Sequence, residues 1–136
     1  MKISNKLEFL FTLAKADAIV SRKIGGQGLG FGDLAVLYAI SQAPEGRIRR
    51  IDLAEQVGLT ASGVTRLLIP LEKIGVIKRE AHERDARVSY ATLTKAGKEL
   101  FTDTLKTVER KCDDLITAEQ TKNLESASKI LERIVQ

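Results

Sequence analysis

The chain has 136 residues, 43% of them hydrophobic and 29% charged, with a formal net charge of +4. That is the length and composition of one soluble domain or compact subunit, and with aromatics at only 4% its core must be aliphatic. A single cysteine excludes an internal disulfide framework and fits a reducing compartment, and no apolar run is long enough to span a bilayer.

Residues 4–24 are predicted to form the first helix. Leu7, Leu10, Phe11, Ala14 and Ala18 make one apolar stripe, and Phe9, Leu13, Ala16, Val20 and Ile24 make a second. A helix apolar on two sides is buried on two sides, and in a chain this short the second side points to a partner subunit. Glu8 interrupts the early apolar stretch and no small-residue cleavage site follows. The segment is therefore not read as a signal peptide, and a cytoplasmic location is expected. Gly25-Gly26-Gln27-Gly28-Leu29-Gly30 reads as a flexible link. It is not a phosphate loop, because no strand precedes it and the glycine spacing is wrong. Asp33 to Ala43 is the second helix, with Leu34, Leu37, Tyr38 and Ser41 on one face and Pro44-Glu45-Gly46 as its stop. Arg47-Ile48-Arg49-Arg50 is short, basic and extended, able to pair as a third, minor strand. It places cations, Arg50 among them, where a nucleic-acid backbone would pass the unit that follows.

That unit runs from Ile51 to Thr94. Apolar Ile51, Ala54 and Val57 mark a short helix stopped by Gly58. Thr60 supplies the side-chain oxygen that an N-cap requires, opening a second helix. Its apolar side is Ala61, Val64, Leu67, Leu68, Leu71 and Ile74, and its other side carries Ser62, Thr65, Arg66, Ile69 and Lys73. Beyond Gly75 the period changes to two. Residues 76–80 and 88–92 read as a hairpin whose polar loop, Ala81 to Arg87, is tipped with arginines. Helix, turn, helix and hairpin suit a duplex: a helix fits the major groove, and a cationic tip suits the backbone or minor groove beside it.

Thr94 to Ile116 is predicted as a long helix, with Phe101, Leu105, Val108, Cys112 and Leu115 at steps of four, three, four and three. Thr117-Ala118-Glu119-Gln120 is a capping box opening the last helix, whose stripe is Leu124, Ala127, Leu131 and Ile134. With the first helix these form an aliphatic seam that most simply zips two subunits together; packing within one chain is the competing reading.

The charge is placed unevenly. Residues 47–98 hold 11 Lys/Arg against 6 Asp/Glu, whereas the remainder holds 11 against 12. The excess lies on the proposed reading unit, as polyanion binding requires, and a solvated basic face is the alternative. Enzyme chemistry is not supported. The only histidine, His82, sits in the arginine-rich loop and reads as solvated, no nucleophile–base pair is evident, and a metal site would need more ligands at better spacing. No cofactor is expected.

Asp85-Ala86-Arg87-Val88-Ser89-Tyr90-Ala91-Thr92-Leu93-Thr94 fits the wing pattern D-x-R-x5-L-T. Leu53-Ala54-Glu55, Leu59-Thr60-x-Ser62-x-Val64-Thr65-Arg66 and Leu71-Glu72-Lys73-x-Gly75 fit a helix-turn-helix. Over essentially the whole chain this resembles the MarR family of bacterial transcriptional regulators. The resemblance implies a mainly α fold with a small β-wing, a winged helix-turn-helix flanked by N- and C-terminal dimerisation helices. On that plan residues 1–136 are a single domain, with the winged unit at about 31–98 and the dimerisation helices at about 4–24 and 94–135. It also implies a homodimer on a pseudo-palindromic operator in double-stranded DNA, acting as a repressor and released by a small molecule or oxidation. Carried over by position, Ser62, Thr65 and Arg66 meet bases and nearby phosphates, Arg87 enters the minor groove, and Asp85 braces that arginine. Thr60 and Ala61 sit at the same helix end. The sequence departs from the pattern at Pro70, which should kink the reading helix, and at Arg49 and Arg50, where a small capping residue is usual.

The chemistry of these residues agrees with such roles. Arg66 offers a bidentate fork to guanine or a contact to phosphate, while Ser62 and Thr65 are short enough to let the helix lie close. Arg84 and Arg87 suit a narrow A·T-rich minor groove. Cys112 reads as a small core hydrophobe, with an oxidation switch as the sharper alternative. An effector pocket between the first two helices and the base of the fifth would be lined by Phe31, Leu37, Tyr38 and Phe101, for which plain core packing is the competing reading. The alternative function for the whole chain is a winged-helix module that binds protein and antagonises another regulator; a metalloregulator is disfavoured by the single Cys and single His.

Overall fold

A computed structural model describes residues 1–136. The first helix, α1 (Asn5–Lys23), is capped by Ser4, whose Oγ accepts the Leu7 N–H at 3.2 Å. The glycine segment after it is not the expected flexible link. Gly25–Gly26 (β1) and Leu29–Gly30 (β2) form a two-residue-turn hairpin, with φ of 53° at Gln27 and 84° at Gly28. Two successive positive φ angles match the twist of paired strands. A Cβ on Gly25 would lie 2.7 Å from the Leu29 carbonyl oxygen, so that glycine is needed for close approach and not for mobility.

Helix α2 (Phe31–Gln42) starts two residues earlier than expected, because Asp33 is its third residue: its carboxylate accepts the Gly30 N–H at 2.8 Å. This helix is the centre of the core. Leu34, Val36, Leu37, Ala39 and Ile40 are buried, whereas Tyr38 and Ser41, expected on the packed face, are exposed. A helix surrounded by partners buries more than one stripe.

After a 3-10 turn at Pro44–Gly46, β3 (Arg47–Arg49) leads straight into α3 (Arg50–Val57). Gly58 ends α3 at φ 72°, its N–H returning to the Ala54 carbonyl. Leu53 and Ala54 point into the core, while Ile51, read as part of that face, is 64% exposed. Helix α4 (Ala61–Lys73) follows, then β4 (Ile77–Ala81) and β5 (Ser89–Leu93). The sheet is antiparallel in the order β3-β5-β4, so the minor strand does pair, with Arg47 opposite Thr92 and Arg49 opposite Tyr90. Ile48, Ile77, Ala91 and Leu93 form its buried face.

Helix α5 (Lys95–Leu115) is capped by Thr94, whose Oγ1 accepts the Gly97 N–H at 2.9 Å and donates to the carbonyls of Gly75 and Val76. The last threonine of the wing pattern therefore ties the start of α5 to the end of the helix-turn-helix. The capping box at Thr117 and Gln120 forms reciprocally, at 3.0 and 3.2 Å. It opens a 3-10 turn, Gln120–Asn123, before α6 (Leu124–Val135), and not α6 directly.

Neither α1 nor α6 contains a buried residue. Phe9, Leu10 and Phe11 on α1, and Ile130, Leu131 and Ile134 on α6, stand between 38% and 60% exposed. The chain presents 10196 Å² of surface, where a folded monomer of its 15.0 kDa exposes about 7,000 Å². The exposed apolar side chains of these two helices contribute to that excess of about 3,000 Å².

Candidate nucleic-acid interface

The site is built on the first two turns of α4 and the loop between β4 and β5. Thr60 caps α4 as expected, accepting the Gly63 N–H at 3.0 Å, and its Oγ1 lies 3.2 Å from the Ser62 hydroxyl. Val64 and Leu71 anchor the helix in the core, with Leu67 and Leu68 packed at its margin. Ala61 and Ile74, assigned to the same stripe, are exposed, because the packed face is narrower at both ends than periodicity suggests. Ser62 and Arg66 face outward. Arg66 makes no ion pair and no side-chain hydrogen bond within the chain, leaving its guanidinium free. The helix continues through Pro70 to Lys73, although Pro70 cannot donate to the Arg66 carbonyl.

Thr65 is occupied. Its Oγ1 donates to the Ala61 carbonyl at 3.0 Å and accepts from Arg50 Nη1 at 3.3 Å. The hydroxyl thus positions Arg50 across the α3–α4 corner, a role that sequence reasoning did not assign. Arg49 takes the N-cap position of α3 without any side-chain cap bond, so its guanidinium is not spent on the helix end.

In the wing, Arg87 reaches Asp85 through two contacts, Nε to Oδ1 at 3.1 Å and Nη2 to Oδ2 at 3.3 Å, and its own N–H donates to Oδ1 at 3.0 Å. The brace expected of Asp85 is present. The Arg87 guanidinium holds the Asp85 carboxyl below its usual range, helped by the Arg87 N–H and only weakly by the charge of Arg49, with burial opposing them. The Arg87 side chain is nevertheless 91% exposed, so the pair presents the cation outward. Arg84 is exposed beside it.

A cleft of about 460 Å³ separates the helix-turn-helix from the wing. Arg49, Arg50, Lys78, Arg79 and Arg87 line it, with Glu72 its only carboxylate. Arg79 leans on Glu72 at 3.5 Å. Of these cations Arg49, Arg50 and Arg87 were expected beside a nucleic acid, and Lys78 and Arg79 were not. The signal for those two was strand register, which brings both beside the central strand β5.

The proposed effector pocket does not assemble as expected. Leu37 is fully buried and Phe101 6% exposed, while Phe31 and Tyr38 lie on the surface at 36% and 59%. A cavity of about 610 Å³ does lie against Phe101, but its other walls are Leu93 and Leu105, the ends of α2 and β4, and Lys98. Cys112 is half-buried against the core, and burial, then Glu109 and Asp113, push its thiol pKa up. That is the opposite of what a reactive thiol requires.

Helix, turn, helix and three-stranded wing in this order define a winged helix-turn-helix protein. Residues 32–89 match the model of the MarR family. The chain is 29% identical over 90 residues to the HTH-type transcriptional repressor YetL of Bacillus subtilis (strain 168), a match covering 65% of this chain and 54% of that one. The chain thus spans about half the length of this curated relative. The transcriptional regulator BldR of Sulfolobus solfataricus shares the fold, with a TM-score of 0.80 at 24% identity over 98% of this chain and 99% of BldR. So does Sco3205, a MarR family regulator of Streptomyces coelicolor solved in complex with DNA. Its TM-score is 0.73 at 22% identity, over 100% of this chain and 91% of that one. No helix is long and apolar enough to cross a membrane.

Proposed function

We propose that two copies of this chain bind double-stranded DNA as a sequence-specific transcriptional regulator, a repressor of the genes beside its site. Helix α4 lies in the major groove, and the Arg84–Arg87 loop grips the adjoining minor groove. The observation that carries this reading is the cleft between α4 and the wing, with five cations and one carboxylate. A field of one sign focused in a groove attracts a polyanion. Ser62 and Arg66 read base edges or contact phosphates from the free face of α4, and Thr65 acts through Arg50. The exposed apolar faces of α1 and α6 supply the two-fold contact, and the protein works in the cytoplasm. A small molecule in the 610 Å³ cavity beside α5 releases the DNA; that volume falls in the usual range for ligand sites.

The test is a titration of DNA from upstream of the protein's own gene, followed by fluorescence anisotropy at two or more salt concentrations. The affinity should fall steeply, with a slope of log Kobs on log salt of about −0.9 per neutralised phosphate. A slope near zero, or equal affinity for unrelated DNA at every salt concentration, overturns the reading.

A further inference from the structure

The wing tip is organised by a side chain that cationic recognition alone does not need. The loop from His82 to Val88 is closed by the His82 N–H on the Val88 carbonyl at 2.9 Å and the Val88 N–H on the Asp85 carbonyl at 3.0 Å. Within it, His82 Nδ1 accepts two backbone N–H groups, from Arg84 at 3.0 Å and from Asp85 at 3.1 Å. This is the geometry of an Asx turn, with an imidazole nitrogen where an Asn or Asp oxygen usually stands. It fixes the direction of Asp85, whose carboxylate then holds Arg87. An acceptor with two donors aimed at it must be unprotonated at Nδ1.

We propose that His82 is the positioning residue of the wing, and that proton uptake by its imidazole releases the tip and weakens the grip on DNA. This rests on the DNA-binding reading above. A protonated Nδ1 becomes a donor facing two donors, so the imidazolium cannot keep either hydrogen bond. The surroundings do not compensate. The Tyr90 ring of β5 lies 5.9 Å from the imidazole, and Arg47 of β3 stacks on that ring at 4.5 Å. Arg49 on β3 and Glu80 on β4 flank Tyr90 in register, and Asp85 is engaged by Arg87. His82 is the only histidine in the chain, and imidazole is the side chain that titrates between about pH 5 and 8.

Two effects of protonation oppose each other at the DNA. One added positive charge on the wing would tighten binding, whereas loss of the turn frees the braced arginine and loosens it. The experiment compares wild type, His82→Asn and His82→Ala for operator affinity at about pH 8 and about pH 5.5. It also follows the backbone amide resonances of Arg84 and Asp85 through the same range in free protein. Asn keeps a side-chain acceptor and does not titrate there. Wild type is expected to weaken by about threefold to tenfold on acidification, the size of a lost capping bond. His82→Asn should hold the affinity of wild type at the higher pH and change little, and His82→Ala should be weak at both. The Arg84 and Asp85 amides should move together with the imidazole titration. Wild-type binding that strengthens or stays level on acidification, or His82→Ala equal to His82→Asn, overturns the proposal. Failure of wild type to bind DNA even at the higher pH sinks the DNA-binding reading instead; the amide titration then judges the turn alone.

Discussion

At the scale of single residues, the site separates side chains that touch a partner from those that aim them. Arg66 is exposed and unpaired, so truncation removes a contact without disturbing the fold. Arg66→Ala should change sequence preference as well as affinity, by about 1–3 kcal/mol at one base pair in a binding-site selection; an unaltered preference would make it a phosphate contact. Arg87→Ala should weaken binding to all sequences and flatten the salt slope by about one unit, measured by anisotropy across a salt series. Asp85→Asn should act in the same direction through Arg87. The Asp85 carboxylate titrates below the ordinary range, so the Asp85–Arg87 pair is formed above that range and lost as pH falls through the lowered value. Protonation of Asp85 itself therefore does not open the pair in the range where an imidazole titrates. Cys112 should alkylate more slowly at neutral pH than a free cysteine, because burial and two neighbouring carboxylates disfavour its thiolate. A rate equal to that of a model thiol would reopen the oxidation switch.

At the scale of elements, helices α4 and α5 are coupled by one short junction. Thr94 caps α5 and holds the carbonyls of Gly75 and Val76, and a Cβ on Gly97 would fall inside the Val76 carbonyl. Helix α5 can approach the end of α4 this closely only with glycine there. Gly97→Ala should destabilise the protein by about 1–3 kcal/mol through forced displacement of that strand. Thr94→Ala should lose about 1 kcal/mol as a missing cap. Both are read by urea unfolding at a fixed protein concentration, since subunit association shifts the midpoint. A Gly97→Ala midpoint equal to wild type would show that α5 moves freely against the turn. The cap signals at Gly58 and Thr60 were readable from sequence because each is local chemistry: one positive φ or one oxygen at a fixed position.

At the scale of the whole molecule, the decisive quantity is surface. An excess of about 3,000 Å² per chain, about 6,000 Å² for a pair, is enough to supply the roughly 2,000–5,000 Å² or more that permanent homodimers bury in total. Leu131 and Ile134 on α6 are exposed and carry no burden in the single chain. The double variant Leu131→Glu, Ile134→Glu should therefore sediment as a monomer while keeping the helical circular dichroism of wild type. It should also lose most DNA affinity, because two half-sites are no longer bound as one. A wild-type protein that is monomeric at about micromolar concentration in sedimentation equilibrium would remove the two-fold arrangement.

Sequence alone determined the order of the helices, the caps at Gly58 and Thr60, the wing hairpin and the free face of α4, because each follows from residues within a few positions of one another. It could not determine that α2 is buried on several faces, that Ile51 and Tyr38 lie outside, or that the glycine segment folds as a hairpin. Those depend on which neighbours surround an element, and periodicity reports only that a face is apolar. The Thr65–Arg50 bracket and the five-cation cleft likewise appeared only in the tertiary structure, which joins residues far apart in the chain. His82 was read as a solvated residue in a charged loop. Its Nδ1 is an acceptor for two backbone donors only because the strands on either side hold that loop closed.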